Sequence, residues 1–259
     1  VSKNGEKIMD RFYIKYARRR FSDLYGIEYL IPTIRSIVDN ERYHGVLVTG
    51  DYGSGKTTIA RALLCRSQCM DPQGLDPCLK CPRCKCVLEG IDPILGNTKI
   101  LKGSEITRDL LIDGYLTYCY FIGGSSNFLM IDDLDEMFPR MLNILKGSMD
   151  EWKSMYFFFT ATNLDNFPNA LLQRTIHVRI EKANDVDLRQ LIIDVCAAEN
   201  IRVQDEAAIQ KLIRLCRSNF RNVLNTLEWL KGVESGLNSE SLENPIIRTH
   251  AGLGINLKN

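Results

Sequence analysis

The stretch "GVLVTGDYGSGKTTIARALL", residues 45–64, constrains the fold more than any other part of the chain. A run of β-branched and apolar residues, Gly45–Thr49, reads as a buried strand. It ends in glycines, a lysine and two threonines, and then turns helical. Gly50, Asp51, Tyr52, Gly53, Ser54, Gly55, Lys56 and Thr57 match the pattern G-x-x-x-x-G-K-[ST] at every position. The glycines let backbone N–H groups converge on phosphate oxygens, and a helix starting near Lys56 aims its positive end at them. Lys56 is expected to reach the β- and γ-phosphates, and Thr57 to place its hydroxyl on Mg²⁺, with Thr58 closing the loop.

A phosphate loop needs a second element to support the metal. "FLMIDDLDEM" supplies a buried strand ending in carboxylates, and Asp132 is the expected Mg²⁺ partner. By itself an acid after a strand is often a solvated turn residue. Downstream of an intact phosphate loop it acquires a purpose.

Other strand candidates are Thr98–Leu101, Phe128–Ile131, Tyr156–Ala161 and Ile176–Ile180, separated by helical stretches. That alternation predicts an α/β fold, a parallel sheet with helices on both faces. Upstream, "EYLIPTIRSIVDNE" has a helical pattern. After Ile180 the period changes. Leu188, Leu191, Ile192 and Val195, then Ile209, Leu212, Ile213 and Cys216, then Val223, Leu224, Leu227 and Leu230 repeat at helical spacing. Three amphipathic helices without an intervening strand predict a small lid-like helical domain. The expected division is a nucleotide-binding domain over 1–180, a helical domain over 181–235, and a polar, turn-rich tail over 236–259, disordered or truncated.

Four of the nine cysteines lie together, Cys69, Cys78, Cys81 and Cys84, in "CMDPQGLDPCLKCPRC". Four thiolates near one another, with glycine and prolines to turn the chain, suit a tetrahedral structural Zn²⁺ in a module over about 65–90. A bacterial ferredoxin run would place another cysteine at position 88, which is leucine here. Cys86 is a spare. Cys65, Cys119, Cys196 and Cys216 sit in apolar periodic contexts and read as core residues.

The net charge of +1 provides no broad basic field for unaided nucleic-acid binding. Any such contact is expected to be local or made by an assembly. The longest apolar runs are strand-length, so no membrane span is expected. An odd cysteine count and a start without a charged-then-apolar leader point to a reducing, cytoplasmic setting.

Phosphate loop, helix, four-cysteine insertion, acidic strand end and helical domain, in that order, resemble the gamma/tau subunits of the bacterial replicative clamp loader of DNA polymerase III, AAA+ ATPases. The likeness runs from about Tyr16 to Leu230, and the cysteine spacing is its most specific part. "ARRRFSDLYGIEYL" looks like the family's N-terminal segment, which the resemblance places near the adenine. "FFFTATNLDNFPNALLQRT" is similar to its sensor strand and Ser-Arg-Cys motif, implying a sensor residue at Thr162 and an arginine acting in trans at Arg174. "CRSNFRNVLNTLEWL" looks like the lid helix, implying a cis γ-phosphate contact from Arg221. The implied activity is ATP hydrolysis with Mg²⁺. The implied partners are other clamp-loader subunits, a sliding clamp and primer–template DNA.

The chain departs from the family in three places. The second acid of the Asp132-Asp133 pair stands where the family has a glutamate that polarises water, so slow hydrolysis is expected. Gln-Arg-Thr replaces Ser-Arg-Cys. Beyond Leu230 no room is expected for the family's collar domain, unless these residues are the front portion of a longer protein. Two rival readings remain: an ATP-binding switch subunit that hydrolyses poorly because of Asp133, and a nucleotide kinase with a zinc lid.

Overall fold

The computed structural model describes residues 11–40, 44–89, 98–108, 127–151, 154–165 and 167–251. Two compact units emerge among the described residues, one within 18–181 and one combining 11–17 with 182–251. The short helix α1 (Phe12–Lys15) belongs to the second.

The first unit is built on five strands: β1 (Gly45–Thr49), β2 (Thr98–Lys102), β3 (Asn127–Asp132), β4 (Met155–Ala161) and β5 (Ile176–Arg179). Their order is β2-β3-β4-β1-β5, and each neighbouring pair is parallel. Period-two alternation sends successive side chains to opposite faces, and both faces are apolar. Val46, Val48, Phe128, Met130 and Phe158 pack with residues of α2 (Ile31–Asp39), α3 (Lys56–Ser67) and α4 (Pro82–Glu89). Leu47, Leu129, Ile131, Phe157 and Phe159 pack with α5 (Pro139–Glu151) and α6 (Asn169–Leu172). A doubly covered parallel sheet carries its ligand-binding loops at the carboxyl ends of its strands.

The second unit contains α7 (Asp185–Glu199), α8 (Glu206–Leu215), α9 (Phe220–Leu230) and α10 (Pro245–His250). Each starts at a side chain that accepts a hydrogen bond from a first-turn backbone N–H, namely Asn184, Asp205, Asn219 and Asn244. The apolar positions expected at helical spacing in α7 to α9 are all buried.

The units differ from the expected division at both ends. Residues 11–17 join the helical unit, not the sheet unit. Phe12 is buried there, and its backbone N–H donates to Glu228 Oε2 at 3.0 Å. Nor is the segment from residue 236 to residue 251 a solvated tail. Leu237, Leu242, Ile247 and Ala251 are buried, and Leu237 bridges to Val203. Residues 252–259 and Cys119 lie outside the described residues. Among the described residues no helix is long and apolar enough to cross a membrane.

Candidate nucleotide and metal sites

β1 delivers the chain to the phosphate loop at its carboxyl end. Gly55, immediately before α3, has φ 101°, a left-handed conformation that a side chain would strain. From there α3 begins at Lys56, with its first N–H groups unpaired inside the helix. Lys56 is buried and its Nζ donates to the Asp51 carbonyl at 3.1 Å, folding the lysine back over the loop. Ser54 Oγ is buried without a hydrogen-bond partner among the described residues. A buried hydroxyl at the rim of such a loop fits an anion's oxygens.

β3 runs parallel to β4 and ends at Asp132, whose Oδ1 accepts from Thr57 Oγ1 at 2.8 Å. The loop threonine and the strand-end carboxylate are therefore already joined. The same Oδ1 accepts from Thr160 Oγ1 at 2.6 Å, and Thr160 Oγ1 in turn accepts from the Asp133 backbone N–H at 2.9 Å. Thr160 is fully buried on β4. Its hydroxyl ties the first acid to the backbone of the second.

Asp133 has φ 52°, a left-handed conformation that aspartate tolerates better than most residues. Burial, then the neighbouring carboxylates of Asp132 and Glu136, push its pKa up, against the pull of Lys56. Asp135 is held by the chain that leaves β4. Its Oδ2 accepts from the backbone N–H groups of Thr162 and Asn163, at 3.2 and 3.1 Å, just beyond β4. Gly103 presses on the same turn, where a Cβ would lie 2.2 Å from the Asp133 carbonyl oxygen.

Lys56, Thr57, Asp132, Asp133 and Thr162 thus cluster at the carboxyl ends of β1, β3 and β4. Thr162 itself is exposed. Arg174 lies elsewhere. It precedes β5, and Val46 pairs with Ile176, so Arg174 sits at the amino end of the sheet. At ~3.3 Å per strand residue, that is on the order of 15 Å from the chain's own phosphate loop. Arg221 belongs to the helical unit, with its guanidinium carbon 5.7 Å from the Tyr13 ring centroid.

The four cysteine sulfurs of Cys69, Cys78, Cys81 and Cys84 all lie within 4.8 Å of one another. A tetrahedral zinc with bonds of ~2.3 Å needs sulfurs about 3.8 Å apart, so the set fits. The backbone is arranged for sulfur anions. Lys80 and Cys81 N–H both donate to Cys78 Sγ, at 3.5 and 3.3 Å. Cys78 N–H donates to Cys69 Sγ at 3.2 Å, and Cys84 N–H to Cys81 Sγ at 3.4 Å. The two donors on Cys78 bring its thiol down to about 6. Burial pushes Cys69 up to about 12. Its contact with Cys65, and then burial, push Cys84 up as well. A divalent cation is what would hold all four as thiolates together. Cys86 and Cys65 are buried outside the cluster.

Thr160, Asp135 and Gly103 were not expected from the sequence. Only Asp135 carried any signal, as one more acid after the strand.

A protein-family profile described as DNA polymerase III, delta subunit, matches residues 28–184. Among curated relatives, the DNA polymerase III subunit tau/gamma of Haemophilus influenzae is 26% identical over 82% of this chain and 31% of its own length. The subunit gamma of Buchnera aphidicola subsp. Acyrthosiphon pisum is 25% identical, over 83% and 59%. The subunit tau of Escherichia coli K12 is 25% identical, over 82% and 33%. The chain therefore spans between about a third and three-fifths of these relatives. Among solved structures, the Thermotoga maritima RuvB Holliday junction branch migration motor superposes with a TM-score of 0.59, at 14% identity over 88% of this chain and 72% of that one. With those relatives and that shared fold in view, the chain belongs to the family described as DNA polymerase III, delta subunit.

Proposed function

We propose that this chain is an ATP-hydrolysing subunit of a clamp loader, working at interfaces with neighbouring subunits to open a sliding clamp and place it on primer–template DNA. The observation that carries the reading is the opposition of Lys56 and Thr57, at the carboxyl end of β1, to Arg174, at the amino end of β5. An arginine on that side of the sheet serves another subunit's nucleotide better than its own. Its charge would meet the negative charge spread over a transferring γ-phosphoryl group.

In this reading the loop amides, Lys56 and Ser54 cradle the phosphates, while Thr57 and Asp132 hold Mg²⁺. Bound Mg²⁺ supplies charge neutralisation of the phosphate oxygens. Asp133 orients the attacking water, Thr162 senses the γ-phosphate, and Arg221 is the cis arginine assigned to that phosphate. Zn²⁺ on the four cysteines is structural.

The test is complementation. Arg174→Ala should leave ATP affinity nearly unchanged and sharply reduce DNA-stimulated hydrolysis. Mixed with a Lys56→Ala chain it should regain activity, because each supplies what the other lacks. Mixtures that stay inactive where wild-type chains assemble and hydrolyse would overturn the trans role.

A second reading, a switch subunit that binds ATP and turns it over slowly, is favoured by Asp133. It is one methylene shorter than glutamate and its pKa is raised. The kinase reading has no use for Arg174 at the far end of the sheet.

A further inference from the structure

The guanidinium of Arg174 is not a loose surface charge. Its Nε donates to Asp150 Oδ1 at 2.6 Å and its Nη2 to Asp150 Oδ2 at 2.7 Å, a side-on bidentate pair. Its Nη1 donates to the Ala170 carbonyl at 2.6 Å. Three of its five N–H groups are engaged, leaving one hydrogen on each Nη without a partner among the described residues. Both anchors stand on packed elements. Asp150 is in the last turn of α5, which buries Met141, Leu142 and Leu145 against the sheet, and Ala170 is in α6 beside buried Leu171.

We propose that Asp150 is a positioning residue for Arg174, holding the guanidinium in a fixed plane so that its two remaining Nη hydrogens face outward, ready for a phosphate oxygen presented by a neighbouring subunit. The proposal rests on the trans role given to Arg174 above. An unanchored arginine samples many rotamers and must be ordered at the moment of reaction. An anchored one has already lost that freedom. The carboxylate also offsets part of the arginine's field at a distance, so what Asp150 adds is the direction of the donors that bring the charge to the phosphate. The effect should therefore fall on turnover and not on nucleotide binding.

The pair is half exposed, at 32% for the Arg174 side chain and 53% for Asp150, so the expected effect is modest. In the assembled complex with primed DNA, Asp150→Ala should lower stimulated ATP turnover about twofold to fivefold. ATP affinity, melting temperature and assembly should stay as in the wild type. Asp150→Glu, which keeps the carboxylate, should recover part of the loss. Arg174→Ala should lose most of the stimulation, and the double variant should be no slower than Arg174→Ala alone, because the acid acts only through the arginine. If Arg174→Ala is slow while Asp150→Ala matches or exceeds wild type, the positioning role is wrong and the trans role survives. If Arg174→Ala is itself as active as wild type, the trans role fails and this proposal falls with it.

Discussion

Thr160 Oγ1 lies 2.6 Å from Asp132 Oδ1, inside the sheet, and it is also the acceptor for the backbone N–H of Asp133. One hydroxyl therefore holds the first carboxylate and the backbone of the second acid at the end of β3. Replacing it with a methyl, Thr160→Val, leaves the Asp133 N–H without its acceptor and removes a donor from Asp132. The expected cost is about 1–3 kcal/mol of stability, read by denaturant unfolding, together with slower ATP turnover. Thr160→Ser keeps the hydroxyl and should restore most of both.

Asp133→Glu should raise hydrolysis, because the longer acid restores ~1.5 Å of reach and misplacement by about 1 Å can cost on the order of a hundredfold. Asp132→Asn should mainly damage Mg²⁺-dependent binding and turnover. Because burial raises the Asp133 pKa, its carboxyl ionises at a higher pH than an ordinary aspartate does. The acid limb of the pH–rate profile should lie correspondingly high and vanish in Asp133→Asn. Stability shows the same shift with opposite sense. This group favours the fold below the unfolded aspartate pKa, and the contribution is lost as pH rises through the raised value. An Asp133→Glu chain slower than wild type would mean that the site is built around the shorter acid.

Purified protein should carry about one Zn²⁺ per chain. Cys81→Ser or strong chelation should release it and unfold the segment around residues 69–89. Nucleotide binding should persist, because Lys56 and Thr57 stand at the opposite end of α3 from Cys69. Metal analysis and protease protection of that segment check both statements. Iron with visible absorbance would sink the assignment.

Gly103→Ala should slow turnover more than it weakens nucleotide binding. Its Cβ would lie 2.2 Å from the Asp133 carbonyl oxygen, a backbone atom that cannot swing aside, so the acidic turn must move. The phosphate loop is not touched by that displacement. Parallel measurement of turnover and ATP affinity separates the two.

Glu199 is 7% exposed and receives Lys15, Tyr16 and Lys231. Burial would raise its pKa, but those three donors outweigh it and hold the carboxyl at about 2. The stabilisation is present above the ordinary glutamate value and is lost as pH falls toward 2. Glu199→Gln should cost about 1–2 kcal/mol, because both lysines reach water and are partly screened. Its thermal unfolding should depend less on pH between 2 and 5 than that of the wild type.

Strands and phosphate loop were legible because their signals are local. Apolar runs such as Phe128–Ile131 and Tyr156–Ala161 place four strands within a residue or two of their ends, and Gly45–Thr49 is the observed β1. The cysteine cluster was legible from spacing. What escaped was set by contacts between residues far apart in sequence. Thr160 reads as an ordinary β-branched strand residue until β3 is laid beside it. Asp150 is an unremarkable helix-end acid until Arg174 reaches it. The four-residue α1 is too short to show a period, so nothing local signals that Phe12 belongs with α9. Leu237, Leu242 and Ile247 lie five residues apart among polar residues, a spacing that matches neither the helical nor the strand period, and that segment reads as solvated although it is packed.

The pairing of residues 11–17 with residues 182–251 has a consequence for how the chain is made. Synthesis delivers Phe12, Lys15 and Tyr16 first, then the whole sheet unit, and only afterwards Glu199, Glu228 and Lys231. On the ribosome α1 must wait, unpaired, while everything from Arg18 to Glu181 emerges. Folding of the sheet unit shortens that span from a long flexible loop to a compact insert, which lowers the entropy lost when the two ends of the helical unit meet. A fragment beginning at Lys182 would leave the pocket for Phe12 open to water and strip Glu199 of two of its three donors, so the helices after Lys182 do not detach cleanly from residues 11–17.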